Sequence, residues 1–98
     1  MAAVWFLYML RCRDGTLYTG IATDVARRLA EHAGAGPRGA RYLRGRGPLQ
    51  LALSLAVGPR GDALRLEHRV KRLGRAAKEE LINRPESARD LLREAPPC

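Results

Sequence analysis

Residues 5–32 read WFLYMLRCRDGTLYTGIATDVARRLAEH and combine two strand-like runs with one helix-like run. Val4 to Cys12 and Thr16 to Ala22 are rich in β-forming residues, and the intervening Arg13-Asp14-Gly15 is typical of a turn. We therefore expect these two runs to form an antiparallel hairpin, with one tyrosine in each strand.

The length of the hairpin loop determines whether the two tyrosines share a face of the sheet. With a two-residue turn at Asp14-Gly15, Tyr18 would pair with Arg11 and lie on the face opposite to Tyr8. With a three-residue loop whose glycine is left-handed, Tyr18 would pair with Leu10 and lie diagonally beside Tyr8. We favour the three-residue loop, and a site shared by the two phenols depends on it.

A helix is predicted to follow the hairpin and to reach His32, with Thr23 or Asp24 as its N-cap. At 100° per residue its apolar residues share one face, namely Val25, Ala26, Leu29, Ala30 and Ala33. Arg28 and His32 lie together along one edge of that face, whereas Arg27 points away. This spacing distinguishes Arg28 from its neighbour as a candidate functional residue.

Beyond residue 48 the sequence predicts one more strand and three helices. Their bounds are Leu49 to Val57 for a well-buried strand, Asp62 to Leu73 for a helix ended by Gly74, Ala76 to Asn83 for a short helix, and Pro85 to about Arg93 for the last. The buried stripe of the helix from Asp62 is Ala63, Leu66, Val70 and Leu73. Glu67 lies at the margin of that stripe, so its carboxylate can face a cleft between helix and sheet.

The charge of the chain points to a polyanionic partner. The formal net charge is +8, from 18 Lys and Arg against 10 Asp and Glu, and arginine binds phosphate through two hydrogen bonds. An acidic membrane surface is the competing partner, but no apolar run approaches the roughly 20 residues of a span. Nucleic acid is therefore the expected partner, and neither a membrane nor a protein partner is expected.

Residues 34–48 are rich in glycine and proline and are expected to form a flexible, cationic loop. We expect four arginines of this loop to bind the nucleic-acid backbone without reading bases: Arg38, Arg41, Arg44 and Arg46. Lys71 is expected to contribute a further backbone contact.

Only two cysteines are present, Cys12 and Cys98, with no C-x-x-C pair and no clustered histidines. This pattern predicts neither a disulfide framework nor a structural zinc site. The first four residues lack a positively charged region, and Arg11 and Arg13 interrupt what could have been the apolar part of a signal peptide. A cytoplasmic protein is the expectation.

These motifs, in this order and spacing, resemble a stand-alone GIY-YIG nuclease domain. The resemblance runs from about Val4 to Ile82 and is carried by Phe6-Leu7-Tyr8, Leu17-Tyr18-Thr19-Gly20, Asp24 through Arg28 with His32, Gly39-Ala40-Arg41-Tyr42, and Glu67 ahead of Val70-Lys71-Arg72-Leu73. It implies an α+β fold, a three-stranded antiparallel sheet flanked by helices in the order β-β-α-β-α-α. We expect one domain over 1–98, with its core over about 4–82 and a helical tail over 83–98.

The resemblance also implies roles by position. Tyr8 and Tyr18 are the two motif tyrosines, Arg28 is the family arginine, His32 stands where several members have histidine, and Glu67 is the metal-binding carboxylate. The chain departs from the motifs at Phe6, Leu7 and Thr19, at Leu43 where many relatives have threonine, and at the family's late asparagine, for which Asn83 is the only candidate.

The implied activity is endonuclease-type hydrolysis of nucleic acid, with DNA favoured over RNA and no sequence specificity. Glu67 would hold one Mg²⁺ or Mn²⁺. Tyr8 is favoured as the general base, with Tyr18 positioning water or phosphate and His32 accepting a proton. Since a free phenol has a pKa of about 10, Arg28 and the metal are expected to favour phenolate. Because relatives include a module of an excision-repair enzyme, DNA repair is the expected context.

Each of these residues also has a purely structural explanation. A strand tyrosine is usually packing surface, a helix arginine is usually a solvated charge, and Glu67 can pair with Lys71 four residues on. At the level of function, the alternatives are a nucleic-acid-binding module with weak or no cleavage, and a structural or interaction protein.

Overall fold

The computed structural model describes residues 3–33 and 48–93, which form three strands and four helices. In chain order these are β1 (Trp5–Arg11), β2 (Leu17–Ala22), α1 (Val25–Ala33), β3 (Gln50–Gly58), α2 (Arg60–Lys71), α3 (Arg75–Asn83) and α4 (Ala88–Arg93). The predicted α+β fold is confirmed, and the described part of the expected tail contains a 3-10 turn, Pro85–Ser87, followed by α4. None of these helices has the length and apolar character needed to cross a membrane.

The sheet is antiparallel with the strand order β2-β1-β3, so β1 is central. In the hairpin, Leu10 pairs with Tyr18. The backbone N–H of Gly15 donates to the Cys12 carbonyl at 2.9 Å, and that of Cys12 donates to the Thr16 carbonyl at 2.9 Å. Gly15 has φ +87°, the left-handed conformation that glycine adopts readily. The three-residue loop is therefore confirmed, and with it the register that brings the two tyrosines together.

Two hydrophobic clusters cover the two faces of the sheet, because side chains of β1 alternate between them. On one face Leu7 and Met9 pack with residues of β3 and of the helices after it: Leu53, Leu66, Val70, Leu81 and Ala88. On the other face Tyr8 and Leu10 pack with Cys12 and Ala22, and with partly buried side chains that include Val25 and Leu29 of α1. β1 is thus buried on both sides, which explains its unbroken apolar sequence.

The face of α1 that packs against the sheet differs from the predicted face. Ala26 and Ala30, expected on the buried face, are exposed, whereas His32 is only 5% exposed. The residues facing the sheet are Val25, Leu29 and His32, spaced four and three apart. Larger side chains bury more apolar area than alanine, so the helix rotates to favour them. Asp24 is the N-cap, since its Oδ1 accepts from the Arg27 backbone N–H at 3.0 Å.

The prediction that the third strand is well buried is wrong. In β3 only Leu53 is fully buried, and Leu51 is 41% exposed. β3 lies at the outer edge of the described sheet, so its side chains have a neighbouring strand on one side only. An apolar sequence alone does not distinguish such an edge strand from a central one.

The second and last helices also differ from their predicted bounds. α2 begins at Arg60, directly after Pro59, whose fixed φ favours a helix start, and it ends at Lys71. Leu73 therefore follows the helix instead of completing its buried stripe. At the other end, Ala88 is buried in the cluster around Leu7, so the hydrophobic core continues past residue 82 into α4.

An ion pair between distant residues joins the sheet to α3. Arg11, at the end of β1, donates from Nη1 and Nη2 to the two carboxylate oxygens of Glu79 at 2.9 and 2.8 Å. Arg75 donates from Nε to Glu79 Oε2 at 3.0 Å. The hydrogen bond from Arg11 is the main reason that the pKa of Glu79 is lowered to about 2.

Candidate active site

Three rings meet on the α1 side of the sheet. Tyr8 comes from β1, Tyr18 from β2 and His32 from α1. The ring centroids are 6.4 Å apart for Tyr8 and Tyr18, 6.1 Å for Tyr8 and His32, and 5.4 Å for Tyr18 and His32. The hairpin register places the two tyrosines on one face of the sheet. His32 lies about two helical turns after Val25, the first residue of α1, and its ring is near both phenol rings. The structure thus brings together three of the residues that the sequence singled out.

The Tyr8 hydroxyl is the centre of this group. Its oxygen lies 2.8 Å from Nε2 of His32, and the guanidinium of Arg28 is near enough to lower the pKa of the phenol. In the tautomer of neutral His32 that carries its ring proton on Nδ1, Nε2 accepts the phenol proton, and a lone pair of the phenol oxygen is left for the Arg28 guanidinium, which can only donate.

Gly20 makes room for the Tyr8 ring. The two residues are direct partners across β1 and β2. A Cβ atom at Gly20 would lie 2.5 Å from the Tyr8 hydroxyl oxygen and 2.7 Å from Cζ, far inside contact distance. The phenol therefore lies over the bare backbone of the glycine. The sequence contained the signal for this, because the three-residue loop that pairs Leu10 with Tyr18 also pairs Tyr8 with Gly20.

The pKa values of Tyr8 and His32 favour the uncharged form of both side chains. Burial raises the pKa of Tyr8 to about 12, with further increases from Tyr18 and Glu67, while Arg28 acts in the opposite direction. Burial, and then the charge of Arg28, lowers the pKa of His32. Arg28 thus lowers the pKa of Tyr8, as expected, but burial raises it by more. Near neutral pH, Tyr8 is protonated and His32 is uncharged.

Arg28 is held by its own helix. It lies on the first turns of α1, and its Nη1 donates to Oε1 of Glu31 at 3.0 Å, one turn further on. The same guanidinium also lowers the pKa of Tyr8. Arg27 is exposed, as the helical spacing predicted.

Glu67 approaches the group from α2. Its side chain is 19% exposed, and its charge contributes to the raised pKa of Tyr8, so the carboxylate acts on the same hydroxyl as Arg28. Nζ of Lys71 lies 3.3 Å from Oε2 of Glu67. The structural explanation for Glu67, an ion pair with Lys71, is therefore also present in the fold.

Comparison with known proteins agrees with the resemblance seen in the sequence. The GIY-YIG catalytic domain model matches residues 4–80. The chain belongs to the GIY-YIG family. This is a nuclease family, so the domain is expected to act on nucleic acid.

Individual relatives of this GIY-YIG domain are small bacterial proteins. A UPF0213 protein of Aeromonas hydrophila is 53% identical over 85 residues, which cover 87% of this chain and 61% of that protein. A UPF0213 protein of Serratia liquefaciens is 56% identical over 81 residues, covering 83% of this chain and 78% of the relative. The chain therefore spans less than two thirds of the Aeromonas protein and more of the Serratia one.

A solved structure has the same fold. The solution NMR structure of a UPF0213 protein from Bacillus halodurans superposes with a TM-score of 0.54 and is 40% identical in sequence. The match covers 88% of this chain and 93% of that one. The three-stranded sheet with flanking helices is therefore shared by this domain and the Bacillus halodurans protein.

The donor set of this GIY-YIG domain fits a single divalent cation. Residues 3–33 and 48–93 contain no group of three or more His, Cys, Asp or Glu side chains able to hold a metal. One carboxylate, Glu67, is near enough to Tyr8 for its charge to raise the pKa of the phenol, and carboxylate oxygen is the ligand that Mg²⁺ and Mn²⁺ prefer. Mg²⁺ is commonly held by one or two carboxylates together with phosphate and water, so a single carboxylate such as Glu67 is compatible with such a site.

Most of the predicted cationic loop falls outside the residues that the structure describes. Its four arginines, Arg38, Arg41, Arg44 and Arg46, and the motif Gly39-Ala40-Arg41-Tyr42 lie outside the described residues. Lys71, the remaining predicted nucleic-acid contact, is half-exposed on α2 beside Glu67.

Proposed function

We propose that this chain is a divalent-metal-dependent endonuclease that hydrolyses phosphodiester bonds of nucleic acid without sequence specificity, with DNA as the favoured substrate. The observation that carries the proposal is the Tyr8 hydroxyl, which is hydrogen-bonded to Nε2 of His32 and whose pKa is raised by burial and lowered by the nearby Arg28 guanidinium. A buried phenol with a cation on one side and a neutral base on the other is equipped for proton transfer.

The raised pKa of Tyr8 is compatible with a role as general base because His32 can take its proton. When Tyr8 accepts a proton from the attacking water, its own proton passes along the 2.8 Å hydrogen bond to Nε2. The phenol is then neutral before and after the step, and the charge is carried by the imidazole. The lowered pKa of His32 keeps Nε2 free to accept before the reaction.

The remaining residues act on the phosphate. The water oxygen forms a bond to phosphorus while the bond from phosphorus to the departing 3′ oxygen breaks, and solvent protonates that oxygen. Arg28 stabilises the negative charge that develops in this step. A divalent cation held by Glu67, when bound, would neutralise charge on the same phosphate. Tyr18, next to both rings, orients the water or a phosphate oxygen.

An assay of purified protein on labelled duplex, single-stranded and branched DNA and on RNA tests this function. Cleavage is expected with Mg²⁺ or Mn²⁺ and should stop with chelator. The Glu67→Gln protein should lose cleavage but retain binding, whereas Glu80→Gln, at an exposed position of α3, should behave like the parent. Cleavage that survives in Glu67→Gln, or in chelator, would remove the metal and its ligand from the proposal.

A nucleic-acid-binding module with weak or no cleavage is the second candidate. The observation that favours it is that Arg28 and Glu67 each have a counter-ion in their own helix, Glu31 and Lys71. Salt-dependent binding of DNA by the parent, with no cleavage of any substrate in the panel, would support this candidate.

A further inference from the structure

The ion pair between Glu67 and Lys71 occupies the carboxylate on which the proposed metal site depends. Both residues lie on α2, four positions apart, with Nζ 3.3 Å from Oε2. They are unequal partners, because the Glu67 side chain is 19% exposed and that of Lys71 is 53% exposed. The carboxylate is therefore the more buried partner, while the ammonium reaches it from the solvent side.

This pair is poorly explained as a stabilising element. Ion pairs with this spacing on a helix contribute little to its stability, since holding a long lysine side chain in one conformation offsets much of the attraction. The Lys71 ammonium affects the binding of another cation at Glu67 more than it affects the stability of the helix. A divalent ion approaching Glu67 meets a carboxylate whose charge is already compensated, and it is also repelled by Lys71.

We propose that Lys71 is a tethered counter-ion that competes with the divalent cation for Glu67, so that metal binding displaces the lysine. This inference rests on the proposed function, because it takes Glu67 to be the metal ligand. Lysine suits this role, since its ammonium is a compact charge on a flexible stem and Lys71 can leave the carboxylate without breaking any packing. The displaced ammonium then lies beside the metal, where it can contact a phosphate of the substrate.

The competition can be measured without any nucleic acid. In an Mg²⁺ titration of the parent followed by NMR, the side-chain carboxyl ¹³C signal of Glu67 and the Nζ signal of Lys71 should change with the same midpoint. Changes at Glu67 while the Lys71 signal stays constant would overturn the proposal. This titration needs no variant, so it does not depend on how any substitution folds.

Variants then test the direction of the effect through the dissociation constant of Mn²⁺ measured by electron paramagnetic resonance. The Lys71→Gln protein should bind Mn²⁺ about five-fold more tightly than the parent, because one positive charge near the ion has been removed. Lys71→Arg keeps the charge and should stay within about two-fold of the parent. Arg65→Gln removes a charge from the opposite side of α2 and is the matched control.

The Glu67→Gln protein separates failure of this inference from failure of the proposed function. If Glu67→Gln leaves Mn²⁺ affinity unchanged, the metal site itself is wrong, and the role of Lys71 falls with it. If Glu67→Gln weakens binding but Lys71→Gln has the affinity of the parent, only the competition is refuted. Tighter binding in Lys71→Gln together with weaker binding in Glu67→Gln supports both.

Discussion

Replacement of Gly20 by alanine should disturb the proposed site without replacing any charged or catalytic residue. The added Cβ would lie 2.5 Å from the Tyr8 hydroxyl oxygen and 2.7 Å from Cζ, whereas ordinary contacts begin near 3.4 Å. The ring must therefore move by about 1 Å, yet Tyr8 is only 2% exposed and packed on all sides. Overpacking of this kind costs about 1–3 kcal/mol, and loss of the bond to His32 adds about 1 kcal/mol.

The Gly20→Ala protein is accordingly expected to unfold with a free energy about 2–4 kcal/mol below that of the parent, measured by urea denaturation. Displacement of the hydroxyl by about 1 Å should lower the rate of cleavage by roughly 100-fold. Gly61→Ala is the matched control, because a Cβ at this position of α2 meets nothing within 4 Å and alanine favours a helix. If the Gly20→Ala protein had the stability and activity of the parent, the close packing of Tyr8 against Gly20 would be refuted.

Three further outcomes are expected. Arg28→Ala should abolish cleavage while only slightly weakening binding in a fluorescence anisotropy titration, and parental activity would exclude Arg28 from the mechanism. Because the pKa of His32 is lowered from 6.5, the midpoint of the acid limb in the pH profile of kcat/KM should lie below pH 6.5. A midpoint above that value would argue against His32 as the proton acceptor. The pKa of Glu79 is lowered from 4.5 to about 2 by Arg11, so its stabilising effect is complete above the higher value and is lost as pH falls toward the lower one. Between pH 6 and 3, Glu79→Gln should therefore lose less unfolding free energy than the parent, and an equal loss would contradict this linkage.

The hairpin could be predicted from the sequence because its register depends on a count of residues. Once the loop is taken as three residues, the pairing of Leu10 with Tyr18 follows, and so does the shared face of the tyrosines. The opening of α1 was equally predictable, since the capping preference of Asp24 is a local property. Local chemistry thus placed Tyr8 and Tyr18 correctly on one face of the sheet.

Properties that depend on packing between distant elements were beyond sequence reasoning. The bond between Arg11 and Glu79 joins residues 68 positions apart and forms only because α3 docks at the end of β1. The raised pKa of Tyr8 arises from burial beneath α1, which no nearby residue indicates. The exposure of Leu51 depends on which strand lies at the edge, and an apolar run is compatible with either place.

The central claim is that the Tyr8 hydroxyl transfers a proton during cleavage, and Tyr8→Phe tests it most directly because it removes one oxygen atom and keeps the ring. Single-turnover cleavage at saturating Mg²⁺ should be slowed by about 10²–10⁴-fold, the usual contribution of a general base, while DNA affinity stays close to that of the parent. A Tyr8→Phe protein that cleaves at the parental rate would contradict the account.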